Sequence, residues 1–314
     1  MIAKDIKLVL VISPSYHVEV KDFQLRALLH VADAGSIRAA ARALGLSQPA
    51  VTKALRDLEA SVDAPLVHRN SRGVELTECG RQLAKRARLA QAQLTMARQD
   101  IAQLQGGKQA LVSVAITPAV FMGALPDVLR EFKREMPLAQ VKLYEGLMPQ
   151  ALPLLREGRV EFAVAAPIET AVDPDLEFEP ICSLEMMFVC RAGHALANAT
   201  RWDEVVDADW LVQQASGSHH TVFLDRLKSQ GLSLPRSIVE VSTFGVSWGL
   251  LTRSDMLTIL PTRFLEILPY GQQIARVPLQ MPLLPLTLGI LKLRSAPLSL
   301  AATQLATLFT RYCR

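Results

Sequence analysis

Apolar positions between residues 23 and 58 fall into three short helical stripes separated by glycine. Phe23, Ala27, Leu28 and Val31 recur at helical spacing, and Ala34-Gly35 ends that stretch. Ser36 is placed to cap a second helix, whose inward stripe is Ile37, Ala40, Ala41 and Leu44 before Gly45 stops it. Ser47 then caps a third helix with Pro49 in its first turn, where a missing N–H does no harm, and Val51, Leu55 and Leu58 face inward. Two short helices joined by a tight glycine-containing turn predict a helix-turn-helix. Alanine at 40 and 41 makes sense there, because a small side chain lets the second and third helices cross closely. The outward side of the third helix carries Gln48, Thr52, Lys53 and Arg56 near its N-terminus, the end that enters the major groove of DNA in such motifs. Beyond it, "LVHRNSRGVELTECG" alternates as strand, basic turn and strand, with Arg69, Arg72 and Gly73 at the tip. A hairpin of that kind is a wing that sets cations against phosphates.

After Thr77 a proline-free segment runs to Gln105 and stops at Gly106-Gly107. Its apolar residues Leu83, Ala87, Ala90, Leu94, Ala97, Ile101 and Leu104 are spaced 4, 3, 4, 3, 4 and 3 apart. A heptad seam held that long predicts a coiled-coil contact with a second copy of the chain. The competing reading is a long helix packed on its own domain. Cys79, at the start of this helix, is expected to be an ordinary buried thiol.

From residue 108 the pattern changes to alternating strands and helices. "ALVSVAITPA" is a strand entering a turn, "FMGALPDVLREFKREMP" an amphipathic helix, "AQVKLYEG" a strand, and "PQALPLLREGRVEFAVAAP" a helix and a buried strand. That order predicts an α/β fold with a mostly parallel sheet. "LEMMFVCRAGHALA" reads as one further strand. A short capped helix near Trp202–Val205, the strand "DWLVQQ", a helix near 221–230, the strand "SIVEVSTF" and the helix and strand of "VSWGLLTRSDMLTILP" follow. "PLTLGILKLR" brings the chain back for a last helix near 298–312. Two α/β lobes joined by strand crossovers make a solute-binding architecture, with the first crossover expected near Cys190. Ligands of open α/β sheets sit at the carboxyl ends of strands. The candidates are Thr117 and Pro118, Gly146, Leu147 and Met148, Ala166 and Pro167, the loop 215–220 with Ser218, His219 and His220, and Thr243 with Phe244. Thr117 ends a strand and begins a helix, so its hydroxyl and the following N–H groups suit an anion; a plain helix cap is the competing reading. The two histidines either pair with a carboxylate or sulfonate or are simply surface residues.

Charge divides the chain in the same place. Residues 21–108 hold 14 Lys and Arg against 8 Asp and Glu, whereas residues 109–314 hold 18 against 20. A basic first third implies a polyanionic partner for one module only. At 314 residues and half hydrophobic, the chain has room for two or three domains and sizeable cores. No apolar run reaches the roughly 18–20 residues of a membrane span, and "MIAKDIKLVLVISPSYH" is a poor secretory signal. A cytoplasmic protein with a loosely ordered extension over residues 1–19 is therefore expected. Four cysteines without a CxxC spacing indicate neither a zinc site nor a disulfide framework. No nucleophile elbow, phosphate loop or metal spacing is present, so no enzyme, cofactor or metal is indicated.

The stretch "AGSIRAAARALGLSQPAVTKALRDLEASVDAPLVHRNSRGVELTECG" resembles the DNA-binding domain of LysR-type transcriptional regulators throughout the helix-turn-helix, the "APL" turn, the wing and "LTECG". Members of that family begin near the position of Val20, which makes residues 1–19 either an unusual extension or a mis-assigned start. The resemblance implies a winged helix-turn-helix at 20–77, a dimerising linker helix and hinge at 78–107, and an effector domain at 108–314 resembling periplasmic binding proteins. Lobe one would take about 108–185 and 287–314, and lobe two about 186–286. Gln48, Pro49, Thr52 and Lys53 would meet base edges in a palindromic promoter. Ser36, Arg38, Arg69 and Arg72 would meet the backbone, with Ser47 and Arg56 completing the interface. Homodimers assembling to homotetramers, contact with RNA polymerase and control by a small effector follow from the same resemblance. The effector is expected to be an organic anion, aromatic or not, between the lobes with its charge near Thr117 and apolar surface from Val120, Phe121 and Met122. Two alternatives stand beside this reading: a redox-responsive regulator of the same family, and a cytoplasmic solute-binding protein. Against the first, Cys182 and Cys190 lie about 25 Å apart if the chain between them is extended, beyond disulfide reach.

Overall fold

The computed structural model describes residues 7–13, 16–70, 73–167, 173–213, 218–267 and 270–313, and the chain divides into two compact units, Met1–Thr95 and Met96–Arg314. Strand β1 (Lys7–Ser13) pairs antiparallel with β2 (Tyr16–Lys21), so the segment expected to be loose contains a hairpin. Helices α1 (Asp22–Ala34), α2 (Ile37–Leu44) and α3 (Gln48–Val62) follow, then the strands β3 (Val67–Asn70) and β4 (Gly73–Leu76) of the wing. Gly35 and Gly45 adopt left-handed φ values of 61° and 66° at the ends of α1 and α2, the conformation that glycine enters without steric cost. Ala40 and Ala41 are fully buried between α1, α2 and α3, and with Leu28, Val51, Leu55, Leu58 and Leu66 they form one core. At the base of the wing the Val74 N–H donates to the Gly35 carbonyl at 3.0 Å. A Cβ on Gly73 would come within 2.6 Å of that same carbonyl oxygen, which keeps the position glycine.

Helix α4 runs over Glu78–Leu104. Its first turns belong to the amino-terminal core through Ala84 and Ala87, with Leu83 packed against it. Gly80 touches the Leu66 backbone so closely that a Cβ would fall 2.0 Å from its carbonyl oxygen. The heptad seam is therefore split. Ala87 is buried in its own unit and Leu83 is partly covered, which removes Ala87 from a seam between chains. From Ala90 onward the stripe is open: Leu94 is 43%, Ile101 57% and Leu104 77% exposed. Cys79 is exposed, contrary to expectation, because the first turn of α4 turns it away from the core.

The carboxyl-terminal unit holds two five-stranded sheets. Lobe one contains β5 (Leu111–Ile116), the one-turn α5 (Pro118–Phe121), α6 (Leu125–Glu135), β6 (Gln140–Glu145), α7 (Met148–Arg156), β7 (Phe162–Ala165) and β8 (Leu176–Leu184). Lobe two contains β9 (Met186–Arg191), β10 (Asp209–Gln213), α8 (His219–Ser229), β11 (Ser237–Val241), α9 (Phe244–Leu251), β12 (Met256–Pro261) and β13 (Ile274–Val277). The chain returns to lobe one through β14 (Leu286–Leu293) and ends in α10 (Leu300–Tyr312). The sheet orders are β6-β5-β7-β14-β8 and β11-β10-β12-β9-β13. In each sheet three strands are parallel, and the two on the crossover side run antiparallel to their neighbours. The sheets are thus mixed rather than mostly parallel, because the chain enters and leaves each lobe along that edge.

The first crossover is at Glu185, between β8 and β9, and not at Cys190, which lies in mid-strand of β9. The single strand read in "LEMMFVC" begins as the end of β8 in one lobe and continues as β9 in the other. The amino end of α10 takes two carboxylates: Glu161 accepts from the Ser299 N–H at 3.0 Å and Asp100, on α4, from the Leu300 N–H at 2.9 Å. The second of these contacts ties the last turns of α4 to lobe one. Among the described residues no helix is long and apolar enough to cross a membrane.

Leucine at position 40 would have to fit where no side-chain volume is free. Ala40→Leu is expected to destabilise the amino-terminal unit by about 1–3 kcal/mol through overpacking, measured as a lower denaturant midpoint. An unchanged midpoint would show that α2 and α3 are not in close contact there.

Candidate functional site

Two sites emerge, one in each unit. In the first, α3 separates its residues cleanly by burial. Val51, Ala54, Leu55 and Leu58 are buried, while Gln48, Pro49, Lys53 and Arg56 are exposed and Thr52 is half-buried. Ser47 caps α3 by accepting from the Ala50 N–H at 3.3 Å, and Ser36 caps α2 by accepting from the Ala39 N–H at 3.4 Å. Each such cap is worth about 1 kcal/mol, so both serines hold the motif in shape whatever else they touch. Arg38, Lys53 and Arg56 make no ion pair among the described residues, and Arg38 is exposed on the first turn of α2. These are cations left for an external anion. Arg69 is placed on β3 by its backbone alone, and Arg72 lies outside the described residues.

In the second unit a cleft of about 470 Å³ opens where the carboxyl ends of the strands in both lobes converge. Thr117 follows β5, Leu147 and Met148 follow β6, and Ala166 follows β7; Phe244 follows β11, and all line the wall. Pro118, Ser218, His219 and His220 line it as well. Gly146 and Thr243 do not. Gly146 is used in the turn, where its N–H donates to the Ile116 carbonyl at 3.1 Å and its Cα faces Gln150, and Thr243 is exposed outside the wall.

Thr117 is 4% exposed, and its Oγ1 has no hydrogen-bond partner among the described residues. It stands at the N-cap of α5 yet makes no side-chain cap, because the Val120 N–H donates instead to the Thr117 carbonyl at 3.0 Å. Among the described residues the buried hydroxyl therefore has no partner, while Thr117 itself lines the cleft. Ser218, by contrast, is fully engaged: its Oγ donates to the Gln213 carbonyl at 2.7 Å and accepts from the Thr221 N–H at 3.2 Å.

The histidines are neither surface groups nor free cations. His220 is buried, with Nε2 2.9 Å from Thr258 Oγ1, and burial pushes its pKa down to about 4, with the charge of His219 adding to the effect. His219 lies with Nε2 3.2 Å from the Leu284 carbonyl, and burial lowers its pKa against the opposing pull of the Pro285 and Leu284 carbonyls. Among the described residues the wall contains no Lys or Arg at all, so the anion expected from the sequence meets no cation here.

Sequence reasoning missed the crossover side of the cleft: Phe178, Met186, and the run Leu284–Thr287. Strand ends can be read from β-α alternation, but which distant segments cross over them cannot. Phe264 was missed; it lines the cleft beside Phe244, with ring centroids 5.5 Å apart. Val120, Phe121 and Met122, expected to supply apolar surface, do not line it: Val120 is buried in the core of lobe one, and Phe121 packs edge-on against Phe244 at 5.5 Å.

The cysteines give no support to redox sensing. All four are free thiols. Burial raises the pKa of Cys182 and Cys190 and pushes Cys313 up to about 12, the reverse of the low pKa that makes a thiol reactive.

Because His220 is held neutral, it links stability to pH. The unfolded chain takes up the proton near 6.5 and the folded chain only near 4. The stabilisation is therefore complete above about pH 6.5 and is lost as pH falls towards 4, on the order of 3 kcal/mol. Denaturant unfolding at pH 7.5 and 5 is expected to show about 2 kcal/mol of this loss, and His220→Gln to flatten it. A variant with the wild-type pH dependence would exclude His220 as its source.

With this geometry in view, the comparisons with known proteins are direct. Residues 105–314 match the LysR substrate binding domain, and residues 23–81 match the bacterial regulatory helix-turn-helix of the lysR family. The chain is 27% identical over 247 residues to the HTH-type transcriptional regulator TdcA of Escherichia coli, covering 78% of each chain. In fold it is similar to ArgP from Mycobacterium tuberculosis, at a TM-score of 0.70 and 18% identity over 92% of this chain and 96% of that one. It is also similar to full-length CbnR complexed with its target DNA, at 0.64 and 19% identity over 93% and 99%. A helix-turn-helix followed by a two-lobed substrate-binding domain, matched in both parts, places this chain in the LysR family of transcription regulators.

Proposed function

We propose that the protein binds a two-fold symmetric promoter site as a homodimer, assembles further to a tetramer, and changes its regulatory output when a small effector fills the interlobe cleft. The observation that carries this reading is the division of α3 into a buried apolar face and an exposed face with Gln48, Lys53 and Arg56 unpaired. Those exposed groups meet the major groove, with Gln48, Pro49, Thr52 and Lys53 towards base edges and Arg38, Arg56 and the wing arginines towards phosphates. The family acts as regulators rather than enzymes, and the protein works in the cytoplasm, at the nucleoid and beside RNA polymerase. Thr117 is the anchor of the effector, supported by its buried and unpartnered hydroxyl.

Dimerisation uses the open part of the α4 stripe, from Ala90 through Leu94, Ala97 and Ile101 to Leu104. Its exposure leaves apolar area in water that a second copy would cover. Leu94→Lys puts a charge into that contact without touching the winged core. It is expected to convert dimers to monomers in sedimentation velocity at micromolar concentration and to weaken promoter binding roughly ten-fold or more, as lost pairing of half-sites requires. If the variant stays dimeric, the seam lies elsewhere; if footprinting of the wild type finds no protected site with or without effector, the regulator reading fails.

A further inference from the structure

We infer that Asp100 is a positioning residue that latches the last turns of α4 onto lobe one and so closes the joint at Gly106-Gly107. The boundary between the two compact units falls inside α4, between Thr95 and Met96, and not at the glycines. The turns from Met96 to Leu104 therefore go with the effector unit. The glycines themselves act as a helix stop. The Gly106 N–H donates to the Gln103 carbonyl at 2.9 Å and the Gly107 N–H to the Ala102 carbonyl at 3.0 Å, with Gly106 at a φ of 89°. Only Lys108 and Gln109 then separate the stop from Ala110, whose carbonyl accepts from the Gln140 N–H at 2.7 Å. With the joint latched, the end of α4 and lobe one move as one piece, and a swing of that lobe about the helix requires Asp100 to let go.

Apolar packing does not hold this end of the helix. Among the described residues none of α4 from Met96 on is buried, none joins the core of lobe one, and Ile101 and Leu104 are exposed. Asp100 accepts from the Leu300 N–H at 2.9 Å, and Gln103 Nε2 reaches Met136 Sδ, a weak acceptor, at 3.8 Å. Asp100 makes the stronger contact, because its carboxylate meets the amino end of a 13-residue helix, where free N–H groups and the helix dipole favour negative charge. Ser299 Oγ accepts from the Ala302 N–H at 3.2 Å, which leaves the Leu300 N–H to Asp100. The contact is also built to release. Glu161 holds the adjacent Ser299 N–H at 3.0 Å, so two carboxylates share one helix end. Burial raises the pKa of Glu161, and the charge of Asp100 pushes the same way. Glu161 is 9% exposed and its own N–H is bonded to the Ser113 carbonyl at 2.9 Å, whereas Asp100 is half-buried on the outer helix. Their repulsion is therefore relieved by moving Asp100, which water can replace at the Leu300 N–H.

Hydrogen exchange followed by mass spectrometry on the full-length protein tests the latch. Asp100→Ala is expected to speed exchange roughly ten-fold or more in peptides spanning Leu300 and in those spanning Asp100 to Gly107, while α1, α2, α3 and the first turns of α4 keep their wild-type rates. Alanine is the better helix former, so faster exchange at the end of α4 cannot come from a loss of helix propensity. Trypsin cleavage after the exposed Lys108 should accelerate several-fold in the same variant. Asp100→Asn keeps an acceptor oxygen in place and removes the repulsion from Glu161, and it should restore protection in both regions. Faster exchange confined to Leu300 makes Asp100 a cap of α10 and nothing more, which overturns the latch, as wild-type exchange throughout Asp100→Ala also does. An Asp100→Asn variant as fast as Asp100→Ala would show that the hydrogen bond to Leu300 is not what holds the helix, and would overturn it as well.

Discussion

The amino-terminal unit depends on one close helix crossing. Ala40 and Ala41 of α2 are buried in one core with Val51, Ala54, Leu55 and Leu58 of α3, and their small side chains let the two helices pack closely. That approach fixes which side of α3 is inside. Once Val51, Ala54, Leu55 and Leu58 are committed to the core, Gln48, Lys53 and Arg56 have no choice but to face outward. The left-handed glycines that end α1 and α2, and the serines that cap α2 and α3, stop and restart the chain within a few residues. The wing is tied to the same corner through the Gly35 carbonyl. A small-residue core thus directs Lys53 and Arg56 to solvent, where they make no ion pair among the described residues.

The effector unit solves a different problem, that of closing on a ligand while remaining two bodies. Each lobe has its own core, and the links between them are the crossovers at Glu185 and at Leu284–Leu286 together with the Phe121–Phe244 contact. Because both crossovers line the cleft, filling it changes the environment of the segments about which the lobes would move. Lobe one also holds the end of α4 through Asp100 at the amino end of α10.

What could be read from the sequence was what is local. The alanine run, the capping serines, the glycine stops and the end of α4 at Gly106-Gly107 are all set by neighbouring residues, and each was found where expected. The strand ends that make half the cleft were legible for the same reason. Burial of Ala87 and exposure of Cys79 were not, since both depend on which turn of α4 meets Leu66 and its neighbours. The division of β8 from β9 was hidden because the apolar run passes through the crossover without a break. Thr117 was found for its position, but only the structure shows that its hydroxyl is spared from capping. The anion was the natural expectation for a strand-to-helix turn, and among the described residues no Lys or Arg lines the wall beside it.

The central claim is that α3 reads sequence in a paired, two-fold arrangement. Selection of binding sites from a random duplex pool by the full-length protein tests it most directly. The account predicts enrichment of one motif with inverted half-sites about one helical turn or a multiple apart, and loss of that enrichment when Lys53 and Arg56 are both replaced by alanine. A pool that shows no enriched motif, or one whose enrichment survives Lys53→Ala with Arg56→Ala unchanged, would contradict it.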